Sequence, residues 1–138
     1  IGIGTLLAEG IGDTLRVSLT ADPVEEVHAG FEILKALDLT KSGIRLVSCP
    51  TCGRTSVNLI EIVNEVESKI RDLPQNLTVA VMGCEVNGPG EARSADLGIA
   101  FGKGVSLLFK HGQVVARLKP EEAVARLLAE IENWSPTQ

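Results

Sequence analysis

Ile44-Arg45-Leu46-Val47-Ser48-Cys49-Pro50-Thr51-Cys52 and Leu77-Thr78-Val79-Ala80-Val81-Met82-Gly83-Cys84 decide the fold of this chain, because each is an aliphatic run that ends in a thiol. Ile44 to Val47 read as a strand that runs straight into Cys49. Leu77 to Met82, apolar almost throughout and partly β-branched, fits a buried parallel strand better than a half-exposed one. Between them Leu59, Ile62, Val63, Val66, Ile70 and Leu73 recur at the three-and-four spacing of a core-facing helix. Glu65 with Lys69 and Glu67 with Arg71 form favourable pairs four apart on its wet side, and Pro74 and Asn76 stop it. In open α/β sheets ligands collect beyond the carboxyl ends of strands, and both thiol-bearing loops leave at that end. The three cysteines converge if the two strands are neighbours.

Before this unit, Ile3, Leu6 and Leu7 followed by Gly10 and Gly12 read as a helix closed by a left-handed glycine. Leu15 to Leu19 alternate strictly, which predicts a short strand with Arg16 and Ser18 on one face. Asp22, Pro23 and Glu25 are a capping arrangement that opens a helix whose apolar side is Val24, Val27, Phe31, Leu34 and Leu37. Thr40 to Gly43 are the linker. After the second thiol, the pairs Asn87-Gly88 and Pro89-Gly90 force tight turns. Leu97 to Phe101, Val105 to Phe109 and Gln113 to Leu118 read as strands, the last two joined as a hairpin across Lys110, His111 and Gly112. Pro120 starts a terminal helix with Val124, Leu127, Leu128, Ile131 and Trp134 on its buried side.

Composition narrows the function classes. Thirteen basic side chains against 18 acidic ones leave a charge of -5, which offers no footprint for a phosphodiester backbone, so nucleic acid is excluded as an expected partner. No run approaches the roughly 18 apolar residues of a membrane helix, and no secretory signal is present, so a soluble intracellular protein is expected. Opening on Ile1 rather than Met suggests a cleaved product or a piece of something longer.

An odd number of cysteines, in a chain long enough to fold without staples, reads as reduced thiols. Taken alone, Cys49-Pro50-Thr51-Cys52 fits half a zinc site, a thioredoxin-like dithiol at a helix amino terminus, or part of an iron-sulfur cluster. The dithiol leaves Cys84 and the turn after it unexplained. Neither His28 nor His111 lies near the cysteines in sequence to close a zinc site, and soft thiolates favour iron with sulfide. A fourth ligand position is within reach of Glu91, which the turn-rich loop returns as a carboxylate. The plainer roles are a solvated residue for Glu91, turn chemistry for Asn87, a surface or turn residue for each histidine, and a core-edge anchor for Trp134. Arg54 either offsets cluster charge or is a solvated loop residue.

SCPTCGR (48–54), GCEVNGPGEA (83–92) and EGIGDTLRVSLTADPVEEV (9–27) together resemble the 4-hydroxy-3-methylbut-2-en-1-yl diphosphate synthases of the non-mevalonate isoprenoid pathway. The resemblance implies an α+β fold: a ferredoxin-like or sulfite-reductase-like iron-sulfur domain over 41–138. Residues 1–40 before it are then the last helix, strand and helix of a truncated TIM-type (β/α) barrel. It implies a [4Fe-4S] cluster held by Cys49, Cys52, Cys84 and Glu91, with Asn87 on the same loop near the ligand, and Arg16 and Ser18 contacting substrate phosphate. It further implies a cyclic diphosphate substrate, ferredoxin or flavodoxin as electron donor, a homodimer in the full-length protein and a cytoplasmic location. The rival readings are a dithiol oxidoreductase using Cys49 and Cys52, and a non-catalytic electron-transfer module.

Overall fold

A computed structural model of the chain describes residues 1–84, 90 and 93–135. These fall into two compact units, Ile1–Ser42 and Gly43–Gln138.

In the first unit, helix α1 spans Gly2–Ala8. Its end is closed as the glycines require: Ile11 N donates to Leu6 O at 2.9 Å and Gly10 N to Leu7 O at 3.0 Å, with Gly10 at φ 74. Helix α2 spans Pro23–Ala36, and the Asp22 carboxylate accepts from Val24 N at 2.9 Å to cap it. It ends through the same motif as α1, with Asp38 at φ 54 in the place of a glycine and Leu39 N donating to Leu34 O.

Two expectations for this unit are corrected. Residues 15–19 are not a strand. The alternation survives over Leu15 to Ser18, with Leu15 and Val17 half-buried and Arg16 and Ser18 exposed, but not at Leu19, which is exposed. A strand also needs a hydrogen-bonded neighbour, and among the described residues this unit contains no other strand to supply one. The face of α2 expected to be buried is largely open, with Val24 and Val27 each 58% exposed and Phe31 44%. The side that α2 buries centres on Gly30, whose missing Cβ lets the Leu15 side chain approach.

The second unit is a five-stranded mixed sheet: β1 (Arg45–Ser48), β2 (Thr78–Met82), β3 (Leu97–Phe101), β4 (Ser106–Lys110) and β5 (Gln113–Leu118), in that spatial order. The pairs β1·β2 and β2·β3 are parallel, and β3·β4 and β4·β5 antiparallel. Helix α3 (Leu59–Ile70) is the crossover from β1 to β2, and α4 (Pro120–Glu132) closes the chain. Both put their apolar stripes on one core: Leu59, Val66 and Ile70 of α3 and Ala123, Leu127 and Ile131 of α4 meet Val79, Val81, Leu97, Ile99 and Leu108 of the sheet. A smaller cluster of Ala80, Met82, Ala95, Ala100 and Phe109 forms a second core, with Val47, Cys49 and Leu107 at its margin.

β2 and β3 are buried almost throughout, which is why their sequences carry no polar alternation. The hairpin between β4 and β5 turns at His111 (φ 46) and Gly112 (φ 74), two successive left-handed residues that match the twist of the flanking strands. Asp96 locks the start of the parallel pair: its carboxylate accepts from Thr78 N at 2.7 Å and its own N donates to Thr78 O at 3.0 Å. Among the described residues no helix is long and apolar enough to cross a membrane.

Candidate metal centre

The parallel register of β1 and β2 brings the two thiol-bearing loops to one edge of the sheet. Ser48 pairs with Val81, so Cys49 and Gly83 leave neighbouring strands close to one another. Gly83 N donates to Cys49 Sγ at 3.3 Å, a direct bond between the first cysteine segment and the residue preceding Cys84. Ser56 N donates to Gly83 O at 3.1 Å, and Ser56 Oγ to Phe101 O at 3.4 Å, which fastens the loop after Cys52 to the ends of β2 and β3. Thr55 packs on Gly83 so closely that a Cβ there would stand 2.9 Å from Thr55 Cγ2 and 3.1 Å from Leu59 Cδ2. Only glycine lets the two loops approach this far.

The thiols differ in exposure. Cys84 is buried, Cys49 half-buried and Cys52 exposed, and all three are free. Cys52 is held below the ordinary thiol range, first by the backbone N–H and then by the guanidinium of Arg54, with the Thr55 hydroxyl adding to the effect. Arg54 is itself exposed, as the solvated-loop reading expects, and its hydrogen bonds reach the Cys52 thiol. The turn is set by Thr55 N donating to Cys52 O at 3.0 Å. Helix α3 begins only at Leu59, beyond Gly53 to Asn58, so the Cys-x-x-Cys pair does not sit on a helix amino terminus as the dithiol reading requires.

Beside Cys84 lies a hollow of about 310 Å³ lined by Gly53, Arg54, Thr55, Ser56, Phe101, Gly102 and Lys103 together with Cys84 itself. It sits beyond the carboxyl ends of β2 and β3, where open α/β sheets collect ligands. Glu91 and Asn87 lie outside the described residues. Among the described residues no three Cys, His, Asp or Glu side chains close on one point as a metal site. The structure therefore brings Cys49 and the Cys84 segment together and keeps Cys52 at the solvent edge. Gly83, Thr55 and Ser56 belong to this edge as well. Gly83 opens the GCEVNGPGEA run, whereas Thr55 and Ser56 carry no motif of their own.

In the first unit, Arg16 lines a separate hollow of about 310 Å³ with Leu15, Val17, Glu26, Val27, Gly30, Phe31 and Leu34. Ser18 is exposed, on the same alternate positions as Arg16.

A mixed five-stranded sheet with Cys49 and Cys84 beyond the carboxyl ends of neighbouring parallel strands defines an α/β domain with two thiol-bearing loops at one edge. Residues 45–133 match the family described as GcpE protein C-terminal domain, and residues 1–31 the GcpE TIM-barrel domain. The chain belongs to the GcpE family. Over 133 residues it is 60% identical to 4-hydroxy-3-methylbut-2-en-1-yl diphosphate synthase (flavodoxin) of Clostridium tetani, and 61% and 60% identical to the proteins of that name from Clostridium acetobutylicum and Geobacter sulfurreducens. Each match covers 96% of this chain and 38% of the relative, so the chain spans under two-fifths of the length of the curated relatives it matches.

Proposed function

We propose that this chain is the cluster-bearing portion of a 4-hydroxy-3-methylbut-2-en-1-yl diphosphate synthase, with residues 1–40 ending its barrel and 41–138 forming an iron-sulfur domain of the sulfite-reductase-like kind. The observation that carries the reading is the Gly83 N to Cys49 Sγ bond, which joins segments that are far apart in sequence. The donor set fits the group: one sulfur already accepts a backbone N–H, a second is kept toward thiolate by Arg54, and the third is buried. Thiolate, not thiol, is the ligand that iron takes, and N–H donors to sulfur are a recognised means of setting a cluster's potential. Cys49, Cys52 and Cys84 would hold three irons of a [4Fe-4S] cluster and Glu91 the fourth.

When bound, that cluster supplies electrons together with a Lewis-acidic iron at its carboxylate-capped corner. The residues of the chain provide the rest. Glu91 would hold the fourth iron as a harder and weaker ligand than thiolate, the corner most readily vacated. Asn87 hydrogen-bonds the ligand at the same loop, while Arg16 and Ser18 hold substrate phosphate from the barrel side. The overall change is the reductive opening of a cyclic diphosphate: the ring C–O bond and the C–O bond of a neighbouring hydroxyl break, a C=C bond forms between those carbons, two electrons and two protons are taken up, and the hydroxyl leaves as water to give the hydroxymethylbutenyl diphosphate.

The electrons come from a small carrier protein, for which the flavodoxin in the relatives' names is the best support. The active site forms between the barrel of one subunit and the cluster domain of the other in a homodimer, and the compartment is the cytoplasm; both follow from the resemblance alone. The test is anaerobic turnover of the cyclic diphosphate by the full-length protein with reduced flavodoxin. Product formation that is lost in Cys84→Ala is expected; a full-length protein that carries the cluster and leaves the cyclic diphosphate unchanged overturns the reading.

A further inference from the structure

We propose that the hollow beside Cys84 and the exposed edge at Cys52 form the docking surface for an acidic electron-carrier protein, with Lys103 as its outer anchor and Arg54 as its inner one. This rests on the function proposed above, and it adds where the carrier binds. The chain as a whole carries a charge of -5, yet the described residues lining this hollow include two cations and no carboxylate. Arg54 and Lys103 thus offer a pair of cations on one hollow, a feature that favours an acidic partner.

The two cations differ in position. Arg54 acts on the Cys52 thiol. Lys103 stands at the tip of the tight turn between β3 and β4, where Gly102 N donates to Val105 O at 2.7 Å and Gly104 takes φ 75. Lys103 is exposed. The turn fixes its base, so the charge is presented from a defined place. An electron carrier has to come close to the sulfurs that hold the cluster, and Cys52 is the exposed one of the three. A cationic rim beside that thiol meets both requirements of such a partner, charge complementarity and proximity.

The test uses the full-length, cluster-loaded protein with Lys103→Glu, and Lys103→Gln as a milder variant. Binding of oxidised flavodoxin is titrated at low salt, and turnover is followed separately with reduced flavodoxin and with dithionite. Reversal of one rim charge is expected to raise the flavodoxin Kd by about tenfold, and neutralisation by about threefold. The difference should collapse near 0.5 M salt, where screening acts over only about 4 Å. Dithionite-driven turnover should keep its rate and its KM for the cyclic diphosphate. An unchanged flavodoxin Kd in Lys103→Glu overturns the proposal. A raised KM for the diphosphate with dithionite, at unchanged flavodoxin Kd, overturns it too and assigns the hollow to substrate phosphate. A wild-type protein that binds flavodoxin in a Lys103-dependent way but turns over no diphosphate upholds the docking surface and refutes the substrate reading instead.

Discussion

Gly83 N donates a hydrogen bond to Cys49 Sγ across the edge of the β1·β2 pair, and this bond converts a parallel strand register into a site. Its geometry depends on the missing side chain at Gly83, against which Thr55 and Leu59 pack. Gly83→Ala should displace Thr55, at a cost of about 1–3 kcal/mol in unfolding free energy, in line with other overpacked positions. It should also lower iron retention after reconstitution. Denaturant unfolding and iron analysis of the same preparations check both parts; unchanged iron at full stability contradicts the role given to this residue.

Gly98 tests packing away from the thiols. A Cβ at this position would stand 2.7 Å from Ala80 O and run into the Phe109 ring, neither of which has room to retreat in a central strand. Gly98→Ala should destabilise the second unit by about 1–3 kcal/mol. Chemical denaturation measures it, and a neutral result would show that β3 and β4 can separate without loss.

The Glu130 carboxylate on α4 gives a pH dependence. Its pKa is held below the usual range first by the hydrogen bond from Lys110 on β4, at 2.6 Å, and then by Arg126. A depressed folded pKa means that the unfolded chain takes up the proton first as pH falls. The stabilisation is present in full above the ordinary glutamate range and is lost as pH drops through the folded value. Lys110→Met should lower stability at pH 7 by about 0.5–1 kcal/mol, a partly exposed pair being worth little more. That deficit should shrink toward zero in strong acid. Thermal unfolding of both proteins from pH 7 to pH 2.5 follows it.

Much of the second unit was legible in the sequence because its signals are local. The aliphatic runs at 44–47 and 77–82, the stripe from Leu59 to Ile70 and the hairpin turn at Lys110, His111 and Gly112 each specify one element, and each element is present. The first unit was legible only in its helices and caps. Alternation at Leu15 to Leu19 expresses a face preference, but strand pairing needs a partner, which no local pattern encodes. The apolar side of α2 at Val24, Val27 and Phe31 likewise states what the helix is made to bury without supplying the surface. At the site, the cysteines announced themselves, whereas Gly83, Thr55 and Lys103 matter through neighbours that only the tertiary fold brings to them.

The role of Glu91 separates a catalytic cluster from an electron relay. Glu91→Cys in the full-length protein should retain the cluster, because thiolate is the better iron ligand, and should lose turnover by at least about a hundredfold, because the fourth corner no longer opens. Iron content with steady-state rates decides it. Normal turnover in that variant would refute ligand exchange.

The most direct test of the central claim is anaerobic reconstitution with iron and sulfide, followed by quantitation of both in the wild type and in Cys49→Ala, Cys52→Ala and Cys84→Ala. The expected result is about four irons and four sulfides per chain in the wild type, with a brown absorbance band that each substitution largely abolishes. A colourless wild type, or a Cys84→Ala protein that keeps its full complement of iron, would contradict it.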